Sequence, residues 1–212
     1  DDAQQLLENI CKESLLTAKA VVTILPATAE NETVFVYAEN EKYEFHFPRN
    51  LQKQKDAKNL CLADFIAPNA AGVIDYIGFF ALSAGLGSAV LASEFRAQSN
   101  DYLAVMTEFL AESLTEAFAE YVHQKIRKDI WAFAADENLS INEIFTGKYR
   151  GIRPAPGYPV CPDHSQKAKI FEILNAQKNT GITLSENFAM LPSASVCGYV
   201  FAHPESKFWG GQ

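Results

Sequence analysis

The sequence predicts an α+β fold, with a curved, mainly antiparallel β-sheet flanked by helices in a single domain. Residues 20–25, 33–38 and 43–47 have strand character and are joined by short polar turns, which is typical of an antiparallel meander. A long stretch with helical periodicity, residues 88–133, comes later in the chain. Strands and helices are mixed along a chain of 212 residues that is 48% hydrophobic, so one domain spanning residues 1–212 is expected.

The first half of the chain supplies most of the predicted sheet. Residues 3–19 have the apolar spacing of an amphipathic helix. The strand that follows, residues 20–25, is expected to end at Pro26. Residues 62–66 and 76–82 also have strand character, and the continuous apolar run in the second of these segments predicts a strand buried on both faces.

The stretch 88–133 is predicted to form two helices that are broken near Ser99–Asp101. In the second helix, large apolar residues recur every three or four positions and predict the face that packs on the core: Leu103, Met106, Leu110, Leu114, Ala117 and Tyr121. Another face carries a glutamate every fourth residue, at Glu108, Glu112, Glu116 and Glu120. Like charges at this spacing destabilise a helix. A solvated face explains Glu108, whereas the other three could present carboxylates to a cationic ligand or partner.

The C-terminal third is predicted to contain two more helices and a final strand pair. Ser140 followed by Glu143 is typical of a capping box at the start of a helix. Residues 164–177 have amphipathic helical spacing, and residues 191–201 have the character of a bent strand or a strand pair.

Composition excludes several classes of function. The net charge of −8 argues against a nucleic acid partner, since phosphate binding depends on clustered lysine and arginine, and it disfavours an anionic membrane surface. The chain has no apolar stretch near the ~20 residues that a membrane span requires, and its start lacks the basic region of a secretory signal. Its four cysteines are irregularly spaced, as expected for reduced thiols in a cytoplasmic protein. Cys161 and His164, even with Cys197 and His203, do not have a usual zinc spacing, so no metal site is predicted.

The most informative segment is Arg150–Pro159, whose last seven residues are Arg-Pro-Ala-Pro-Gly-Tyr-Pro. Its prolines fix φ and remove backbone donors, so the segment can only be extended or turned, and Gly157 allows a positive φ. A loop this stiff loses little entropy when it orders around a ligand, and Arg153 gives it one cationic anchor. A simple connection between two elements is the alternative interpretation.

This segment, followed by Cys161-Pro162-Asp163-His164, resembles the signature of the C-terminal activation domain of cobalamin-dependent methionine synthases. Segments of similar sequence occur in the same order at residues 61–68, 75–78, 116–121 and 206–208, so the resemblance covers nearly the whole chain. It implies a curved α+β sheet fold. It also implies that the family's N-terminal helical segment, which carries another acidic ligand residue, lies upstream of Asp1, and that affinity for the ligand is lower without it.

The resemblance implies S-adenosylmethionine as the bound ligand. Arg153 matches the family's carboxylate-binding arginine, and Glu116 matches its acidic contact to the cationic groups. Pro154 and Ala155 belong to the loop whose backbone is expected to line the nucleoside site. Two aromatic residues, Phe208 and Trp209, stand where the family has a tyrosine pair, which keeps the ring surface and removes two phenols.

The resemblance further implies a role in methionine biosynthesis as part of methionine synthase. The domain would support reductive methylation of inactive cob(II)alamin, which is held by a separate cobalamin-binding domain, while flavodoxin or an equivalent reductase supplies an electron. Tyr158 would face the cobalt and assist the reaction, and Glu112 would lie at the interface with the cobalamin-binding domain. The isolated domain is expected to be inert because no nucleophile is paired with a base.

Two other functions remain as alternatives. The chain could be a detached S-adenosylmethionine sensor or scaffold that acts without cobalamin. An ordinary S-adenosylmethionine-dependent methyltransferase is disfavoured, because no Gly-x-Gly loop follows an early strand.

Overall fold

A five-stranded antiparallel sheet organises the computed structural model, which describes residues 2–50 and 59–209. The strand order is β3-β2-β1-β4-β7, and the sheet curls into a half-barrel. Its strands are β1 (Thr17–Glu30), β2 (Thr33–Tyr37), β3 (Lys42–His46), β4 (Asp75–Leu86) and β7 (Val196–Val200). A separate antiparallel pair is formed by β5 (Thr183–Leu184) and β6 (Met190–Leu191). The predicted α+β fold with an antiparallel sheet is confirmed.

The helices flank this sheet. They are α1 (Asp2–Glu13), α2 (Ser88–Ala97), α3 (Asp101–Lys125), α4 (Ile141–Phe145), α5 (Gln166–Leu174) and α6 (Ala176–Thr180), and a π-helical turn, Ile126–Ile130, extends α3. The predicted break between α2 and α3 is confirmed, and the Asn100 side chain caps α3 by accepting a 3.1 Å hydrogen bond from the Leu103 amide. The capping box of Ser140 and Glu143 at the start of α4 is also confirmed. No helix in the two described ranges is long and apolar enough to cross a bilayer.

The predicted end of β1 at Pro26 is wrong. The strand continues to Glu30, and Pro26 pairs with Tyr76 of β4. Pairing between β1 and β2 begins only at Ala27, so β1 has a neighbour on one side at Pro26. A strand tolerates a residue without an N–H in that situation.

Residues 62–66 are not the strand that their composition predicts. Leu62–Phe65 is a 3₁₀ turn, in which the Asp64 carboxylate accepts a 2.9 Å hydrogen bond from the Cys61 amide. Arg49 holds the same carboxylate through two hydrogen bonds of 2.8 and 2.9 Å. These local contacts of a side chain with the backbone favour the turn over an extended segment.

The predicted core face of α3 is confirmed only in its first half, since Leu103, Met106 and Leu110 pack on a core cluster whereas Ala117 and Tyr121 are exposed. Up to Ala119 the fully buried residues are the smaller ones of a neighbouring face, namely Ala104, Thr107, Ala111, Thr115 and Ala119, and Val122 and His123 follow them. The core cluster under Leu103, Met106 and Leu110 is formed by α1 and α2 rather than by the sheet. Thr115 fixes the contact with the sheet, since its hydroxyl accepts a 3.0 Å hydrogen bond from the Ala84 amide and donates one of 3.0 Å to the Ala194 carbonyl. Small side chains let α3 lie close to β4.

Aromatic rings fill the core on the face of the sheet opposite α3. Tyr199 of β7 makes edge-on contacts with Phe45 and Phe47, at centroid distances of 5.4 and 5.2 Å. The buried Tyr199 hydroxyl donates a hydrogen bond to the side-chain oxygen Oε1 of Gln166, at the start of α5. These contacts anchor β7, the strand along which the proline-rich loop runs.

Candidate ligand-binding site

A cavity of about 340 Å³, called here the ligand cleft, lies between α3, the proline-rich loop and the C-terminal residues. It is lined by Glu116, Tyr149, Arg153, Pro154, Ala155, Tyr158, Pro159, Val160, Val196, Phe208 and Trp209. Every residue that the sequence assigned to the ligand or to the cobalt side therefore lines one cavity. Glu112, which was assigned to the domain interface, is exposed on α3 one turn earlier and is not part of the lining.

The proline-rich loop is held against β7 by backbone hydrogen bonds. Ile152 and Phe201 exchange two bonds of 3.0 Å, and the Tyr199 amide donates one of 2.9 Å to the Pro154 carbonyl. Beyond Pro154 the chain turns at Gly157, whose φ is 105° and whose amide donates a 2.7 Å bond to the Cys161 carbonyl. The loop is therefore fixed at both ends of the Arg153–Tyr158 segment, as its proline content predicts.

Arg153 both lines the cleft and forms an ion pair beneath it. Its Nη2 donates to Oε1 of Glu120, and the two side chains are 18% and 22% exposed. Within the described part of the chain, Nε of Arg153 and Oε2 of Glu120 have no hydrogen-bond partner. A guanidinium has five N–H donors, so one bond to Glu120 leaves capacity for a ligand carboxylate. The sequence offered only one signal for Glu120, its place in the glutamate series of α3.

The four glutamates of α3 lie in different environments. Glu108 forms a 2.8 Å ion pair with Arg96 and Glu112 is exposed, whereas Glu116 lines the cleft and Glu120 lies beneath it. Because α3 turns about 100° per residue, residues four apart shift gradually around its axis. Of the four glutamates, only Glu116 lines the cleft, and its contact with a ligand stays a prediction.

A second buried ion pair supports the floor of the cleft. Arg127 is fully buried and donates to Glu137 through Nε at 2.8 Å and through Nη2 at 2.6 Å. Its guanidinium carbon also lies 4.1 Å from the ring centroid of Tyr149, a residue of the cleft wall. Sequence reasoning missed this pair, since the basic end of α3 is equally typical of a solvated helix terminus.

His123 lies near both Arg127 and Arg153. It is 1% exposed, its ring stands edge-on to Tyr149 at 4.9 Å between centroids, and neither ring nitrogen has a partner among the described residues. Burial, with added repulsion from Arg127 and Arg153, lowers the pKa of His123 well below its ordinary value of 6.5. His123 is therefore neutral at neutral pH and adds no third positive charge to the floor of the cleft.

We expect His123 to make folding stability fall as the pH decreases below about 6.5. In that window the unfolded chain binds a proton at this position and the folded chain does not, so the stability lost by pH 5 is about 1 to 2 kcal/mol. Chemical denaturation of wild type and His123→Phe across this range measures the effect. The variant keeps an aromatic ring at this position and should show a flatter profile than wild type. Equal slopes for wild type and His123→Phe would contradict the assignment.

A larger cavity of about 830 Å³ lies elsewhere, beside residues 63–70 and His203. Its cation, Arg49, is already paired with Glu32 at 2.9 Å and with Asp64 at 2.8 Å. None of the residues that the sequence assigned to a ligand lines it. The smaller ligand cleft has the free hydrogen-bonding capacity and the aromatic surface, so it is the better candidate site.

No metal site is found among the residues that the structure describes, where no group of three or more His, Cys, Asp and Glu is placed to hold an ion. All four cysteines are free thiols. Burial raises the pKa of Cys161 and of Cys197 to about 12, so both remain protonated at neutral pH and are poor metal ligands.

The half-barrel and its cleft define a small-molecule-binding domain in which a rigid loop and a helix supply opposite charges. Residues 1–211 match the family model described as "Vitamin B12 dependent methionine synthase, activation domain". The chain belongs to this family.

A solved structure supports the same relationship. A crystal structure described as the MetH reactivation domain bound to AdoHcy is 43% identical in sequence and superposes with a TM-score of 0.93. The match covers 98% of this chain and 65% of that chain, so the present chain spans about two thirds of its length.

Proposed function

We propose that the ligand cleft binds S-adenosylmethionine and its demethylated product S-adenosylhomocysteine (AdoHcy), and that the domain supports reactivation of cobalamin within methionine synthase. One observation carries this proposal: a guanidinium, a carboxylate and aromatic rings line a single cavity of about 340 Å³. The volume lies within the range of about 300–1,000 Å³ typical of small-molecule sites. The structural relative bound to AdoHcy supports the same ligand class.

The charges in the cleft are complementary to those of the ligand. Arg153 suits the ligand carboxylate, because a guanidinium can bind both oxygens at once. Glu116, which is exposed at the cleft, suits the ammonium and sulfonium groups. Phe208 and Trp209 offer ring surfaces to the adenine, and Trp209 is supported from behind by Phe65 at 6.2 Å between centroids. Pro154 and Ala155 bring backbone groups to the same wall.

Tyr158 is the residue proposed to meet cobalamin. Its side chain is 62% exposed at the rim of the cleft, on the stiff part of the proline-rich loop. Cobalamin on its own domain supplies the cobalt that accepts the methyl group, and flavodoxin or an equivalent reductase supplies the electron. The present chain orients the methyl donor, presents the Tyr158 hydroxyl and, through Glu112 on α3, contacts the cobalamin-binding domain.

Two measurements test this proposal. Calorimetric titration of the chain with AdoHcy should give saturable heat, and its absence would remove the ligand from the cleft. Mixing the chain with a cob(II)alamin-loaded cobalamin domain should change the visible spectrum, because docking alters the surroundings of the cobalt. Tyr158→Phe should reduce that change, whereas Tyr102→Phe, at an exposed position of α3 outside the cleft, should not. AdoHcy binding without any spectral response would favour the sensor alternative.

A further inference from the structure

A second cavity of about 340 Å³, called here the basic chamber, adjoins the ligand cleft. The two cavities share Glu116, Ala155, Tyr158 and Val196 as a common wall. The rest of the chamber lining is formed by Pro156, Gly157, His164, Lys167, Met190, Ser195 and Cys197.

Lys167 is a buried cation without a carboxylate partner. It is 8% exposed, and its Nζ lies 3.2 Å from the Phe188 carbonyl and 3.1 Å from Nδ1 of His164. No Asp or Glu of residues 2–50 and 59–209 forms an ion pair with it, in contrast to the buried Arg127, which is paired with Glu137. A buried ammonium without a counter-charge is unfavourable. Of its three N–H donors, two are used by these contacts and one remains for a ligand.

The contact with Lys167 also determines which ring nitrogen of His164 accepts a hydrogen bond and which donates one. An ammonium only donates hydrogen bonds, so Nδ1 of His164 accepts and Nε2 of the neutral ring carries the proton. The ring lies directly against Gly157, where an added Cβ would come within 2.3 Å of Cε1 of His164. Because residue 157 has no Cβ, the imidazole ring of His164 can pack directly against the loop and line the chamber. Lys167 and His164 together present two N–H donors, and one of the two groups is a full positive charge.

We propose that the basic chamber binds an oxyanion, a phosphate or carboxylate group, that belongs to a molecule other than the one in the ligand cleft. Each cavity contains its own cation, Arg153 in the ligand cleft and Lys167 in the chamber. A ligand with a single carboxylate is satisfied by Arg153, and the Glu116 carboxylate stands in the wall between the two cavities. The chamber thus adds a second anion site that opens beside Tyr158.

Inorganic phosphate is the probe for this site. Titration of isotopically labelled chain, followed by NMR, should shift the imidazole resonances of His164 and the ammonium resonance of Lys167 in a saturable way. Lys167→Met should weaken phosphate binding by about tenfold or more, since a charge-assisted hydrogen bond is lost. His164→Phe, which keeps the ring and removes both nitrogens, should also weaken binding. Lys178→Met, at an exposed position of α6, is the matched control and should bind like wild type.

The outcomes separate the chamber from the ligand cleft. Absence of saturable shifts in wild type, or equal phosphate affinity in folded Lys167→Met, would overturn the proposal. If phosphate still binds when AdoHcy is saturating, the two cavities hold separate molecules. If AdoHcy displaces phosphate competitively, the proposal of a second molecule is overturned, and one ligand occupies both cavities. If AdoHcy fails to bind, the phosphate titration alone still tests the chamber. Failure of the proposed function can therefore be told apart from failure of the anion site.

Discussion

Replacement of Arg153 with lysine is expected to weaken AdoHcy binding by about 10- to 100-fold. Lysine keeps the positive charge and cannot bind both carboxylate oxygens with a planar fork, so at least one charge-assisted hydrogen bond, worth about 1.5 to 3 kcal/mol, is lost. Calorimetric titration with AdoHcy measures the change. The matched control is Arg150→Lys, because Arg150 donates to the Ala202 and Phe133 carbonyls at 2.8 and 3.0 Å and does not line the cleft. Equal affinities of the Arg153 variant and wild type would contradict the assignment.

A double variant separates ligand binding from folding at the same position. Arg153→Met leaves the partly buried Glu120 without its counter-charge and should lower the free energy of unfolding by about 3 kcal/mol. Adding Glu120→Gln removes the unpaired charge and should restore most of that stability. AdoHcy binding should stay weak in both variants. Recovery of affinity in the double variant would show that Arg153 only neutralises Glu120.

Replacement of Gly198 with alanine is expected to disrupt both the fold and the cleft. An added Cβ would lie 2.3 Å from the Pro154 carbonyl oxygen and 3.2 Å from Cα of Ala155, which are backbone atoms that cannot rotate away. The proline-rich loop must move off β7, and the hydrogen bond from the Tyr199 amide to Pro154 is lost. Overpacking of this kind costs about 3 kcal/mol, and a shift of about 1 Å in Arg153 should reduce AdoHcy affinity at least tenfold.

Gly78→Ala, on the neighbouring strand β4, is the control for this prediction. An added Cβ there would meet Cβ of Val200 at 3.0 Å and the Trp131 ring at 3.4 Å, away from the proline-rich loop. We expect this variant to lose stability and to keep its AdoHcy affinity. Denaturation and calorimetry on both variants test the contrast. Unchanged ligand affinity in Gly198→Ala would show that contact with β7 does not position the loop.

Predictions from the sequence were most accurate where the structure depends on residues that are close together in the chain. Proline and glycine in the segment Arg153–Pro159 restrict their own dihedral angles, so the rigidity of the loop could be predicted without any knowledge of its neighbours. The capping box at Ser140 and the break at Asn100 depend on hydrogen bonds over three residues, and both were predicted correctly. Resemblance to a family then assigned residues that the fold brings to one cleft.

Predictions failed where contacts distant in sequence decide the structure. The spacing of Leu103 and Tyr121 indicates an apolar face, but cannot show that α1 and α2 cover part of it, or that β4 requires alanine and threonine instead. The pairing of Glu120 with Arg153 joins residues 33 positions apart, so helix periodicity alone cannot reveal it. Pro26 was misjudged for the same reason, because the open side of β1 depends on where pairing with β2 ends, at Val36.

The close approach of α3 to β4 also determines how the cleft can evolve. At Gly85 an added Cβ would come within 3.2 Å of Cβ of Ala111, so at this crossing no large side chain separates helix and strand. A bulkier residue at Ala111 would therefore push α3 away from β4 and move Glu116 and Glu120 relative to Arg153. Substitutions at exposed positions of α3 outside the cleft leave the cleft geometry in place, whereas a bulkier residue at Ala111 changes the distance between Glu116 and Arg153.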